Sequence, residues 1–309
     1  MLVRFMLLVA LVATLAVVVS PRPIARACCS VSSKEQVVLN ADQNLIILWD
    51  AENKTEHFIR QASFKGADKD FGFLVPSPTK PELNESGNEA FALLERITKP
   101  IPKPEARLEM SKGVPAPAAA EPVRVLEQKK VAGFNATVLE ADDAKALVAW
   151  MKDNGFAYSP EVEAWAKPYI DQKWKFTALK IAPKEEGAKE AGVATPALRM
   201  SFKTERPLFP YRESATNGAE KTINPQGRLL RIYFIAETQY FGKFENNEQW
   251  KASVPYSQDI GDAQRKELLE LLKLPANTGP AKFHVTKYDH LWPYNSAPSD
   301  LWFEKAAQK

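Results

Sequence analysis

The chain has 309 residues, 45% of them hydrophobic, with 41 lysines and arginines against 38 acidic residues and a formal net charge of +3. That balance gives no global pull toward nucleic acid or anionic lipid. Two adjacent cysteines, Cys28 and Cys29, exclude a disulfide framework, and the length allows one large domain or two small ones.

Residues 1–27 read as an export signal. Arg4 supplies the positive charge, Phe5 to Val19 is an apolar run, and Ala25-Arg26-Ala27 follows the break at Pro21-Arg22-Pro23. The run is about 15 residues long and a membrane span needs roughly 20, so a cleaved leader is preferred to an anchor. Cleavage after Ala27 makes Cys28 the first residue of the mature chain. Loss of Arg4, Arg22 and Arg26 leaves 38 basic residues against 38 acidic, so the pI of 8.6 is no binding signature. A cysteine at the junction admits a lipid anchor. Arg26 and Ala25 depart from the small uncharged and large apolar residues that lipidation sites carry, so soluble export to the periplasm or exterior comes first and a lipoprotein second. Neighbouring Cα atoms lie about 3.8 Å apart, under the roughly 4.4–6.8 Å of ordinary disulfides. Thiols that are capped, acylated or paired with another chain are therefore expected at Cys28 and Cys29, not a redox centre.

Leu45 to Trp49 and Thr55 to Phe64, around the polar turn Ala51 to Lys54, predict a hairpin. Phe71 to Val75 is a further strand, expected to end at Pro76-Ser77-Pro78 because proline cannot donate to a ladder. Ser86 and Glu89 have capping-box spacing before a helix whose Ala90, Leu93, Leu94 and Ile97 form a core stripe. Residues 28–99 thus read as a β-rich region with one helix. Residues 100–122, interleaving six prolines with Ala118-Ala119-Ala120, read as a linker or long loop.

Residues 123–309 read as a C-terminal α+β region. Val123 to Leu139 forms two strands around Ala132-Gly133. Asp142 or Asp143 caps a helix carrying Ala144, Leu147, Val148 and Met151 on one face, stopped by Asn154-Gly155. A second helix starts at Ser159-Pro160, buries Val162, Trp165, Ala166 and Tyr169, and is expected to bend or end at Pro168. Trp174 to Leu179 and Leu198 to Thr204 alternate as strands with one buried face. Leu229 to Ala236, apolar apart from Arg231, predicts a central strand covered on both sides. Glu267 to Lys273 is helical, and Phe283 to Tyr288 is expected as the last strand. The fold class is α+β, with antiparallel or mixed sheets and a few packed helices, divisible into two subdomains.

The search for chemistry returns little. His57, His284 and His290 show no metal-site spacing, and no phosphate loop, dinucleotide fingerprint or nucleophile elbow occurs. Asp68 and Asp70 around Lys69 fall short of a calcium loop, and Lys129-Lys130 reads as a solvated face. No catalytic residue, metal or cofactor is assigned.

Several segments together resemble the uncharacterised bacterial family called domain of unknown function 2330. They are the leader with Ala27-Cys28 at its junction, Asp70 to Pro78, the helix from Glu89 to Pro100, Leu147 to Gly155, the strand from Phe176, and Arg206 to Glu213. The likeness covers about Cys28 to Glu213. It implies an exported setting and supplies no activity.

The sequence therefore favours an exported protein that binds or scaffolds an unknown envelope or extracellular partner. It predicts no nucleic-acid partner and no integral membrane span once the leader is removed. The rival is an envelope hydrolase in which His284, Asp289 and His290 converge. A third reading, adhesion or assembly, requires an exposed apolar patch at Trp292, Tyr294, Trp302 and Phe303.

Overall fold

A computed structural model describes residues 30–31, 39–65, 72–99, 123–156, 160–181, 197–212, 228–292 and 299–306. The expected hairpin is present as β2, Leu39–Asp50, and β3, Thr55–Lys65. It joins a seven-stranded sheet with β5 (Glu82–Ser86), β9 (Ala197–Lys203), β11 (Arg228–Ala236), β13 (Ser253–Asp259) and β14 (His284–Trp292). The order is β13-β14-β11-β2-β3-β9-β5, antiparallel throughout except for the parallel pair β11–β2. Both central strands are apolar on both sides, as a strand covered twice must be.

Alternation along these strands sorts their side chains into two cores. Leu45, Ile47, Phe58, Met200, Ile232 and Phe234 lie in one, and Ile46, Leu48, Ile59, Tyr233, Ile235 and Val285 in the other. Two helices close the second core, α1 (Glu89–Ile97) through Ala90, Leu93 and Leu94, and α4 (Asp262–Leu271) through Leu268 and Leu269. Two smaller sheets close the first. One is five-stranded, built from β1 (Ser30–Val31), β4 (Gly72–Ser77), β8 (Lys175–Ile181), β7 (Phe134–Glu140) and β6 (Arg124–Val131) in that order. The other is three-stranded, with β15 (Leu301–Lys305) between β10 (Leu208–Phe209) and β12 (Tyr240–Lys243). Helices α2 (Ala144–Asp153) and α3 (Pro160–Asp171) pack on the outer face of the five-stranded sheet, where Trp165 and Tyr169 meet Phe176 at ring-centroid distances of 6.1 and 6.2 Å. Strands from both sides of residues 100–122 share the two larger sheets.

Local signals are obeyed where the chain alone decides. The β6–β7 turn places Ala132 and Gly133 at φ 52 and 76, the left-handed pair a tight hairpin needs. Asp143 caps α2 by accepting from the Ala146 N–H at 2.7 Å. Gly155, at φ 69, ends that helix with Phe156 N–H donating back to the Met151 carbonyl at 2.8 Å.

Four expectations fail or are met only in part. Ser86 caps nothing: it ends β5 in register with Ala197, and α1 starts after Asn88 with no side-chain cap bond. Strand β4 includes Pro76, opposite Phe176, and ends at Ser77, within the expected Pro76-Ser77-Pro78 stop. Among the described residues β1 pairs only Gly72 and Phe73, and no described strand lies beside Pro76 on the other edge of β4. Of the two outcomes expected at Pro168, an end is not observed: helix α3 continues to Asp171, with Trp165 and Tyr169 anchoring it in the core. Strand β14 is followed by β15, whose Phe303 is 1% exposed and stacks on Phe234 at 4.5 Å. Phe303 is therefore core and Trp302 is half-buried, so neither forms the exposed patch of the adhesive reading; Tyr294 and the side chain of Trp292 lie outside the description.

Two strands expected to bury one face bury more. Strand β8 hides Thr177 and Leu179 as well as Phe176 and Ala178. In β9, Arg199 is buried because its guanidinium donates to the carbonyls of Leu272 and Lys273 at 2.6 and 2.7 Å. It places a cation where α4 leaves unpaired carbonyls and the negative end of its dipole.

A charged network ties α1 to the sheet. Glu95 accepts from Tyr233 Oη at 2.7 Å and Lys287 Nζ at 3.2 Å, and Arg231 grips Asp289 through two bonds of 2.7 and 3.0 Å. Burial alone would raise the Glu95 carboxyl. The bonds from Tyr233 and Lys287, with the charges of Lys287 and Arg231, bring it down from 4.5 to about 2. A depressed carboxylate adds stability above its unfolded value that is lost as pH falls through the folded one. Denaturant titrations should therefore show stability dropping between about pH 4.5 and 2, and Glu95→Gln should flatten that drop; an unchanged slope would refute the network's role. Phe303→Ala should cost about 3–5 kcal/mol by the same measurement, and a loss below about 1 kcal/mol would contradict its core placement.

Candidate functional site

Strand β13 is the terminal strand of the large sheet, and it lies beside β14 with Asp259 opposite His284 and Ser257 opposite Thr286. Residues two apart on a strand share a face. Ser257, Asp259, His284 and Thr286 therefore converge at the margin of the sheet. Exposure rises toward that margin: Thr286 is 0% exposed, the His284 side chain 17% and the Asp259 side chain 43%.

The three polar groups form one chain of hydrogen bonds. His284 Nε2 lies 2.9 Å from Ser257 Oγ, and His284 Nδ1 lies 2.7 Å from Asp259 Oδ1. Lys282 pairs with the other carboxylate oxygen. The bonds from Lys282 and then His284 hold the Asp259 carboxyl below its ordinary value, so the group is an ionised acceptor at neutral pH. An acceptor on Nδ1 fixes the ring proton there and leaves Nε2 to accept from the serine hydroxyl. Thr286 Oγ1, 3.3 Å from Ser257 Oγ, completes the hydroxyl's surroundings. A nucleophile, a base and a group that orients the base, in that connectivity, is the arrangement acyl transfer by serine requires.

His284 is one of the residues the sequence singled out, but its partners are different ones. Alternation turns Asp289 to the opposite face of β14, where it holds Arg231. His290 shares the face of His284 but lies six residues on, about 20 Å at strand spacing, where Tyr211 Oη approaches at 3.4 Å and the Trp250 ring at 5.4 Å. His284, Asp289 and His290 thus do not converge. Missed entirely were Ser257 and Asp259. Ser257-x-Asp259 is a one-faced pair only if residues 253–259 form a strand, and this polar run containing Pro255 gives no strand signal.

His57 makes a second histidine–serine contact, Nδ1 to Ser201 Oγ at 2.8 Å. Burial, then the Arg199 charge, pushes its pKa down from 6.5 to about 4. The nearby Asp50 directs its oxygens to the Asn53 and Gly279 N–H groups and the Asn53 amide instead, so Asp50 does not orient this ring. Lys129 donates to the Leu83 carbonyl at 2.6 Å. Ala27, Cys28 and Cys29 lie outside the described residues.

Among the described residues no group of three or more His, Cys, Asp or Glu could hold a metal ion. A cavity of about 10 Å³ between the sheets, lined by Phe58, Arg60, Phe73 and Leu179 among others, has room for about one water. No described helix is long and apolar enough to cross a membrane. No solved structure and no curated protein matches the chain. A family model described as an uncharacterized protein conserved in bacteria matches residues 22–299, most of the chain, and the protein therefore belongs to that family, DUF2330.

Proposed function

We propose that this chain is an exported protein of the cell envelope or exterior that carries out acyl transfer or hydrolysis at Ser257. The observation that carries the reading is the two-sided contact of His284, with Nε2 on a serine hydroxyl and Nδ1 on a carboxylate. The export leader Met1–Ala27 supports the setting.

The chemistry follows from those contacts. Ser257 Oγ attacks the carbonyl carbon of an ester or amide while His284 Nε2 takes the hydroxyl proton. The tetrahedral intermediate collapses as His284 returns that proton to the departing alcohol or amine, leaving Ser257 acylated. A water, deprotonated by the same nitrogen, releases the acid and restores the serine. Asp259 acts through His284, holding its tautomer and orientation, and is a positioning residue. The partial exposure of Asp259 and the competing charge of Lys282 weaken that hold relative to a buried pair.

A fluorophosphonate probe, read by intact mass and peptide mapping, should add one equivalent at Ser257. Ser257→Ala should abolish labelling and His284→Gln should slow it about a hundredfold. Asp259→Asn should lower the rate and change its pH profile, while all three variants retain the wild-type melting transition. Equal labelling of wild type and Ser257→Ala would overturn the proposal and return the binding or scaffolding role to first place. Intact mass of the protein from its own host should correspond to a chain starting at Cys28, unlipidated, and a mass retaining residues 1–27 would contradict export by cleavage.

A further inference from the structure

The edge on which Ser257 sits has a defined backbone phase. Ile260 N–H donates to the Phe283 carbonyl at 2.9 Å, and the pairs Asp259↔His284, Gln258↔Val285 and Ser257↔Thr286 continue that register without a shift. In an antiparallel ladder, residues that turn both backbone groups toward the partner alternate with residues that turn both away. Ile260 and Gln258 therefore face β14. Ser257 and Asp259 direct their N–H and C=O groups outward, and no described strand lies beyond β13 to receive them.

From this geometry, and resting on the acyl-transfer reading, we infer that the acyl substrate of Ser257 is an extended peptide segment that adds to β13 as a further strand, its reacting carbonyl accepting from the N–H of Ser257 itself. Three observations converge on this class. Outward N–H and C=O groups two residues apart are the pattern that strand addition uses. The N–H of the nucleophilic residue lies beside its own hydroxyl, so a carbonyl oxygen bound there places its carbon within reach of Oγ and lets the N–H stabilise the oxyanion as it forms. The residues along the edge, Gln258 and Asp259, are exposed and polar, which leaves backbone pairing as the recognition this stretch offers. The irregularity between Ser253 and Tyr256, with Pro255 inside it, ends the regular edge and limits the paired segment to a few residues.

Three p-nitrophenyl esters separate the possibilities: the acetate, an N-acetyl-dialanyl ester, and the same dialanyl ester N-methylated on its backbone amides. Each acylation rate is divided by that ester's rate with hydroxide, and Ser257→Ala provides the blank. The dialanyl ester should acylate Ser257 about tenfold faster than the acetate, the worth of one or two backbone hydrogen bonds, and N-methylation should remove that advantage. If acetate acylates Ser257 while the dialanyl ester and its N-methylated form react equally, strand addition is wrong and the serine reading survives. If no ester gives acylation that Ser257→Ala abolishes, both fall.

Discussion

The parallel pairing of β2 with β11 is the constraint from which the rest of the architecture follows. Leu45 lies beside Ile232 and Ile47 beside Phe234, and both strands are apolar on both sides. A strand of that kind cannot be left with either face in water, and burying a Leu, Ile or Phe side chain is worth about 1.5–3 kcal/mol each. The two smaller sheets with α2 and α3 answer one face, and α1 with α4 the other. The pair also joins chain segments far apart in sequence, so it cannot form until most of the protein has been made.

Charges inside this sandwich are placed where covering elements meet strands. Arg199 reaches the last carbonyls of α4, and Glu95 of α1 meets Tyr233 and Lys287 of the sheet. Glu56 accepts from the Leu208 N–H at 2.8 Å, joining β3 to the three-stranded sheet. Its carboxyl, wholly buried, is pushed well above the ordinary value by desolvation, so it fixes an element without the cost of an unpaired buried charge. Each of these groups joins two elements of the fold. The edge triad differs: Ser257, Asp259 and His284 belong to two already paired strands, and no described covering element is bonded through them.

What the sequence disclosed follows the range of the interaction concerned. The β2–β3 and β6–β7 hairpins, the Asp143 cap, the Gly155 stop and the two-faced character of β11 are set by neighbours in the chain and were legible. Strand β5 was hidden because Ser86 and Glu89 mimic a capping box, and its true role depends on β9, over a hundred residues away. The site was hidden for the same reason. His284 was visible as a histidine worth weighing, but Asp289, an odd number of residues away, lies on the opposite face of the strand, and proximity in sequence is misleading there. Its partners come from across the ladder, through a register that no composition reveals.

The sheet contains two histidine–serine pairs, and their difference is chemical. His57 meets Ser201 through Nδ1, in a buried position that holds the ring neutral down to about pH 4, and the nearby carboxylate is committed to a turn. Such a ring can take a hydroxyl proton only by creating a cation in a low-dielectric setting with Asp50 bonded elsewhere. His284 meets Ser257 through Nε2 with a carboxylate already on Nδ1, so the cation formed by proton transfer is stabilised at the moment it appears. Position completes the contrast: Ser201 lies on β9, paired on both sides by β3 and β5, whereas no described strand lies on the outer side of the strand that carries Ser257. In the proposed reaction a substrate carbonyl approaches Ser257 in the plane of the sheet, an approach that at Ser201 would displace a strand. An outward-facing backbone edge and an oriented base thus coincide at Ser257 and not at Ser201, which is why the proposed chemistry is placed on the terminal strand.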